Sequence, residues 1–202
     1  YKGKKVIEKS RLGFEMINIP SMKNDFNLLK SSTSAFDETW KPVWGEVKEI
    51  RNQYNELEIV LEQGNPIRTV IIRFRLYNDG LGFRYEFPNQ KHLSYFTIAD
   101  ELTQFNLGKD YTAFWIRGDY DTNEYNYTTS LLSDVVKKID IATEEISAQT
   151  PTQEITVQTP LMLKGNGIYI NIHEASLKDY PAMLLELDST GVVLSTHLTP
   201  DP

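Results

Sequence analysis

Between Gly118 and Ser130 the sequence reads GDYDTNEYNYTTS, which crowds Asp119, Asp121 and Glu124 together and interleaves Tyr120, Tyr125 and Tyr127. Carboxylates at such spacing repel one another unless a cation or water screens them. A hard cation such as Ca²⁺ takes about six to eight oxygen ligands, and Asp119, Asp121, Asn123 and Glu124 carry oxygens of the right kind. The acids do not follow an EF-hand pattern: their intervals differ, no glycine marks the sharp turn, and the closing glutamate comes too early. A self-contained calcium loop is therefore not expected. Three readings stay open. The stretch is a solvated turn whose acids cap a following helix; or its rings stack on sugar faces while acids and amides bind hydroxyls; or it lends one carboxylate to a metal held mostly by other parts of a longer chain. Trp40, Trp44 and Trp115 would extend the sugar surface.

The histidines are His92, His173 and His197. His173 and Glu174, in NIHEAS, look like a catalytic or metal pair. Adjacent strand residues point to opposite faces, however, so the two do not easily ligate one ion together. No HExxH, GxSxG, P-loop or dinucleotide fingerprint is present.

The elements that must carry these groups show a period of two. In ELEIVLEQ (Glu56–Gln63), Leu57, Ile59 and Leu61 alternate with Glu56, Glu58 and Glu62; RTVIIRFRLY and LGFRYEF continue the pattern. Asp79-Gly80 between the last two predicts a type I′ hairpin turn, which needs positive φ at both positions. That register pairs Asn78 with Leu81, Leu76 with Phe83, Phe74 with Tyr85, Arg73 with Glu86 and Arg75 with Arg84. Further strands are expected at Tyr95–Ala99, Tyr111–Ile116, Ile155–Leu163, Gly167–Glu174, Met183–Leu187 and Val192–Thr196. A short helix is expected in SLLSDVVKKI, with Ser130 as its cap. Ser147–Gln153 reads as a loop rather than a linker. Many short strands with turn residues between them predict an all-β fold, a large antiparallel β-sandwich in one domain over residues 1–202.

Composition narrows the partners. A formal charge of −7 argues against nucleic acid, whose phosphates demand a basic surface. No run approaches the roughly 18 apolar residues of a membrane span. With no cysteine, disulfides and cysteine-based metal sites are excluded. The chain starts at Tyr1 rather than Met and stops at LTPDP, which suggests a piece of something longer.

Four collinear blocks carry a more specific signal: FDETWKPVWGEVKEIRNQYNEL (Phe36–Leu57), IRFRLYNDGLGFRYEFP (Ile72–Pro88), WIRGDYDTNEYNYTTS (Trp115–Ser130) and YINIHEASLKDYPAMLLELD (Tyr169–Asp188). Together they resemble the N-terminal domain of glycoside hydrolase family 97, which includes α-glucosidases and α-galactosidases. The resemblance implies a β-super-sandwich like galactose-mutarotase-like domains, followed in the parent chain by a catalytic (β/α)8 barrel and a small β domain. It also implies a calcium ion at the active site, with one ligand, Glu124, supplied from this domain. The remaining ligands and both catalytic carboxyls would come from the barrel, so no catalytic residue is expected in this chain. Tyr120 and Tyr125 would then pack behind the ligand, and Asp119 and Asp121 would shape the turn. The family's usual proline before Gly118 is Arg117 here, which removes a fixed φ from the loop. Substrates implied by the resemblance are α-linked glucosides or galactosides, and the implied location is periplasmic or at the cell surface. Two other functions compete. One is an independent carbohydrate-binding module using the tyrosines and tryptophans. The other is a mutarotase-like sugar epimerase, which would need a histidine and a glutamate, such as His173 and Glu174, on a concave sheet.

Overall fold

A computed structural model describes residues 1–139, 149–151 and 154–200. The fold is all-β, as expected, with a single short helix among the described residues. The loop expected at Ser147–Gln153 lies partly outside them. Two compact units emerge, Met22–Thr97 and the remainder of the chain. No helix among the described residues is long and apolar enough to cross a membrane.

Strand β1 (Phe14–Ile17) opens the larger unit. The smaller unit is one antiparallel sheet in the order β2 (Phe26–Trp40), β3 (Ile50–Gln63), β4 (Arg68–Leu76) and β5 (Leu81–Glu86). The alternation read in β3 is present, with Leu57, Ile59 and Leu61 on one face and Glu56 and Glu58 on the other. Strand β2 has no such signal. Its centre, KSSTSAF, is polar and small, and its pairing with β3 over almost its whole length supplies what the side chains do not.

The β4–β5 hairpin differs from its expected register. Leu76 pairs with Leu81, Phe74 with Phe83 and Arg73 with Arg84, a shift of two that keeps every side chain on its expected face. The turn centres on Asn78-Asp79, closed by the Tyr77 N–H donating to the Gly80 carbonyl at 2.8 Å. Neither Asp79 nor Gly80 takes positive φ, so the type I′ requirement does not arise. The facing arginines are tolerated because acids surround them. Arg73 bonds Glu56 at 2.5 Å, Glu58 at 2.8 Å and Glu86 at 2.9 Å, while Arg84 bonds Glu86 and Arg75 bonds Glu56.

The larger unit continues with β6 (Thr97–Glu101), β7 (Gln104–Asn106), β8 (Thr112–Trp115) and β9 (Thr128–Leu131). After the short helix come β10 (Thr156–Gln158), β11 (Leu161–Gly165), β12 (Ile168–Ile172), β13 (Met183–Leu187) and β14 (Val193–Leu198). Strand β1 pairs with β6, and two four-stranded sheets run β10-β13-β14-β7 and β12-β11-β8-β9. Val157, Leu185 and Leu194 from the first meet Trp115, Leu161 and Leu163 from the second in one core. Burying each of those leucines contributes about 2 kcal/mol.

Two expectations are corrected here. Ile155–Leu163 is not one strand but two, β10 and β11, in different sheets; Pro160 falls between them and has no N–H to continue a ladder. The helical stretch starts later than expected, as a 3₁₀ turn at Leu132–Asp134 leading into α1 (Val135–Lys138). Ser130 is no cap: it belongs to β9, and its hydroxyl accepts the Trp115 indole N–H at 3.1 Å. With β9 between them, the loop acids are not that helix's caps either.

Candidate functional site

The GDYDTNEYNY segment leaves β8 and crosses one face of the β10-β13-β14-β7 sheet. Gly118 makes the approach feasible. Its N–H donates to the Thr156 carbonyl at 2.8 Å, and an added Cβ would overlap the Thr156 side chain, 2.7 Å from its Cβ. Gln158, next but one on β10, donates from Nε2 to the carbonyls of Asp119 at 2.9 Å and Thr122 at 3.1 Å. The Tyr120 hydroxyl meets Nε2 of His197, on β14, at 2.7 Å.

Asp119 organises the turn from within. One carboxylate oxygen accepts the N–H groups of Asp121 at 2.8 Å and Thr122 at 3.1 Å; the other accepts the Tyr125 hydroxyl at 2.6 Å and the Gln149 N–H at 2.9 Å. The side chain is buried. Burial pushes its pKa up, but the Tyr125 hydroxyl and the three N–H groups outweigh burial and hold it below the usual carboxylate range. A buried carboxylate with four donors is well satisfied without a metal.

Glu124 is placed differently. It is exposed, its N–H is held by the Thr122 hydroxyl at 3.1 Å, and its carboxylate makes no hydrogen bond or ion pair among the described residues. Asp121 and Asn123 flank it in the same turn. The turn thus anchors one acid inward and leaves Glu124 facing solvent. No group of three or more acids, histidines or cysteines among the described residues could hold a metal ion. Glu124 offers one carboxylate, where calcium takes about six to eight oxygens.

The remaining sequence candidates scatter. His173 is exposed just past β12, whereas Glu174 accepts the Thr159 hydroxyl at 2.9 Å and the Met183 N–H at 2.6 Å, tying β13 to the segment before it. Among the described residues, neither shares a hydrogen bond or ion pair with the acidic loop. Trp115 is buried in the core and is unavailable to a sugar, while Trp44 is 87% exposed between β2 and β3. Tyr125 is likewise buried.

Sequence reasoning missed Gln158, Thr156 and His197. Each reaches the loop from a strand far along the chain, as with His197, 77 positions after Tyr120, and none carries a local motif. Carboxyls gather near His197. Burial raises the pKa of Asp100 and of Glu186, with His197 opposing the rise in both, and burial followed by the charge of Glu154 raises that of Tyr120.

Comparison with known proteins extends the picture beyond this chain. Residues 1–200 match the family described as Glycosyl-hydrolase 97 N-terminal. A retaining alpha-galactosidase from Bacteroides thetaiotaomicron is 23% identical over 211 residues, covering 99% of this chain and 28% of that protein. Among solved structures, a single-residue variant of a glycoside hydrolase family 97 enzyme from Pseudoalteromonas sp. strain K8 superposes with a TM-score of 0.84 at 33% identity, again over 99% of this chain and 28% of the other. The same organism's family 97 enzyme in complex with acarbose gives 0.81 at 32% identity, with the same coverage. The chain spans little more than a quarter of the length of these relatives.

Proposed function

Because the chain belongs to glycoside hydrolase family 97 as its N-terminal domain, we propose that it is the non-catalytic part of a calcium-dependent, exo-acting glycoside hydrolase. In this reading it packs on a catalytic (β/α)8 barrel of the same parent chain and lends Glu124 to a calcium ion in the barrel's active site. The observation that carries the reading is the asymmetry of the loop. Asp119 is fully occupied by internal donors, whereas Glu124 is exposed with its carboxylate unengaged among the described residues. A carboxylate held at the tip of an internally pinned turn loses little freedom on binding an ion, which favours ligation.

Calcium, when bound, supplies a fixed positive charge that orients substrate and catalytic groups. This chain's residues do the rest of what is assigned to it: Asp119, Gln158 and Gly118 fix the turn, and Glu124 presents the charge. A carboxylate from the sandwich and others from the barrel, sharing one ion, would also clamp the two domains together. The catalytic carboxyls belong to the barrel, and their separation sets whether the reaction retains or inverts configuration. The proposed substrate class is an α-linked galactoside or glucoside, a reading supported by relatives that include an alpha-galactosidase and an enzyme in complex with acarbose. A periplasmic or cell-surface location belongs to the same proposal.

The test is Glu124→Gln in the parent enzyme. Calcium affinity and turnover are expected to fall together, each by at least about tenfold. Wild-type calcium affinity and wild-type turnover in that variant would overturn the assignment. The exposed Trp44 and Trp40 keep one alternative alive, a carbohydrate-binding module; micromolar binding of maltooligosaccharides by this domain in calorimetry would favour it.

A further inference from the structure

Besides the Gln149 contacts to Asp119 and Tyr120, three contacts pin the Glu124 loop, and the side chains in them come from one face of one sheet. Thr156 and Gln158 of β10, Leu184 and Glu186 of β13, and Ser195 and His197 of β14 share that face by register. Gly118 rests on Thr156 and Leu184, and the carbonyls of Asp119 and Thr122 take the Gln158 amide. These hold the start of the loop by backbone alone. Tyr120 is the side chain that reaches furthest along the sheet. Its ring stacks on the His197 imidazole, with centroids 5.9 Å apart and planes 18° from parallel, and its hydroxyl closes the 2.7 Å contact to Nε2. We infer that His197 is a positioning residue, acting through Tyr120 to fix the loop from which Glu124 projects. The inference rests on the metal-ligand reading of Glu124 given above.

The surroundings explain why a histidine serves here. Carboxyls that bear on this corner are Asp100 from β6, with Glu15 of β1 and Glu101 beside it, Glu186 from β13, and Glu154 just before β10. An imidazole meets the phenol by hydrogen bond and ring stacking together and brings no further negative charge into this corner, as a carboxylate in its place would.

Two measurements on the full parent enzyme decide the matter: hydrogen exchange of the peptide spanning 119–127, and titration of metal-stripped protein with calcium alone. Tyr120→Phe keeps the ring and removes the hydroxyl; His197→Phe keeps the stack and removes both nitrogens. Each is expected to speed exchange in that peptide by about three- to tenfold, the worth of one hydrogen bond, and to weaken calcium binding by a similar factor. The double variant should be no worse than either single, because both remove the same contact. His197→Gln, which retains a hydrogen-bonding group, should recover most of the affinity; a purely structural role would give no such rescue. Exchange at wild-type rates in both single variants overturns the inference. So does faster exchange with unchanged calcium affinity when Glu124→Gln weakens it. If Glu124→Gln leaves calcium affinity untouched, the metal reading falls instead, and exchange alone still shows whether this latch holds the loop.

Discussion

The β3–β5 sheet and the His197 corner both gather carboxylates, yet they treat them in opposite ways. On the sheet, Glu56, Glu58 and Glu86 each meet a guanidinium, and Arg73 alone bonds all three. The hydrogen bond from Arg75 holds the Glu56 carboxyl below its ordinary range, and Arg73 does the same for Glu86. At the His197 corner, burial dominates and pushes Asp100 and Glu186 up. Asp119 stands between the two cases, because neutral N–H and O–H donors outweigh burial there without a formal cation. Burial of an acid is thus no guide to its protonation; the donors that register brings within reach decide it.

The sharpest way to upset this contrast is Arg73→Leu. It removes the one guanidinium shared by three carboxylates, itself only 19% exposed, while Arg75, Arg84 and Lys30 still reach Glu56, Glu86 and Glu58; it should lower the stability of β3–β5 by about 2 kcal/mol, short of the roughly 3–5 kcal/mol for a fully buried pair. Hydrogen exchange of the β3 and β4 amides at neutral pH measures it; a loss too small to detect would mean the ladder is decorative. Because the folded values of Glu56 and Glu86 are depressed, their stabilisation is present above about pH 4 and disappears as pH falls through those folded values. In Arg73→Leu that acid dependence should flatten.

Asp119→Asn comes next. It leaves the amide to satisfy donors that now point at a carboxylate, and should destabilise the loop by about 1.5 kcal/mol. Exchange in peptide 119–127 would report it, and the wild-type advantage should vanish as pH drops through the folded Asp119 value. Glu186→Gln should act with the opposite sign. A raised folded value means that this acid contributes below about pH 4 and loses the contribution as pH rises. The substitution therefore stabilises the larger unit at pH 8, by roughly 0.5 kcal/mol, and less so at pH 4; destabilisation at pH 8 would contradict the account of this corner. Smallest is Arg84→Ala, whose side chain is 64% exposed and whose loss should cost less than about 0.5 kcal/mol in urea unfolding.

Much of the architecture could be read in advance where one face of a strand is apolar. The alternation in β3, β4 and β5 placed those strands because a half-buried pleat imposes a period of two. Strand β2 was invisible for the complementary reason: KSSTSAF has no apolar face, and its partner strand alone makes it extended. The β4–β5 turn shows a finer limit. Asp79-Gly80 suits a type I′ turn, but a shift of two leaves the apolar faces intact, so patterning could not choose between registers. Within the loop, the acidic and aromatic composition of GDYDTNEYNY flagged the segment but did not by itself tell Asp119 from Glu124; only the family resemblance separated a ligand from a turn-shaping acid.

Residue order alone was enough to mark an all-β chain, its acidic loop and the family blocks around it, because period-two patterning and local motifs survive in one dimension. Which carboxylate turns inward and which faces solvent, and that His197 and Gln158 hold the loop, emerged only on folding. Those outcomes depend on strands distant in the chain lying side by side, and on donors whose reach is a few ångströms; neither is encoded within any short window of residues.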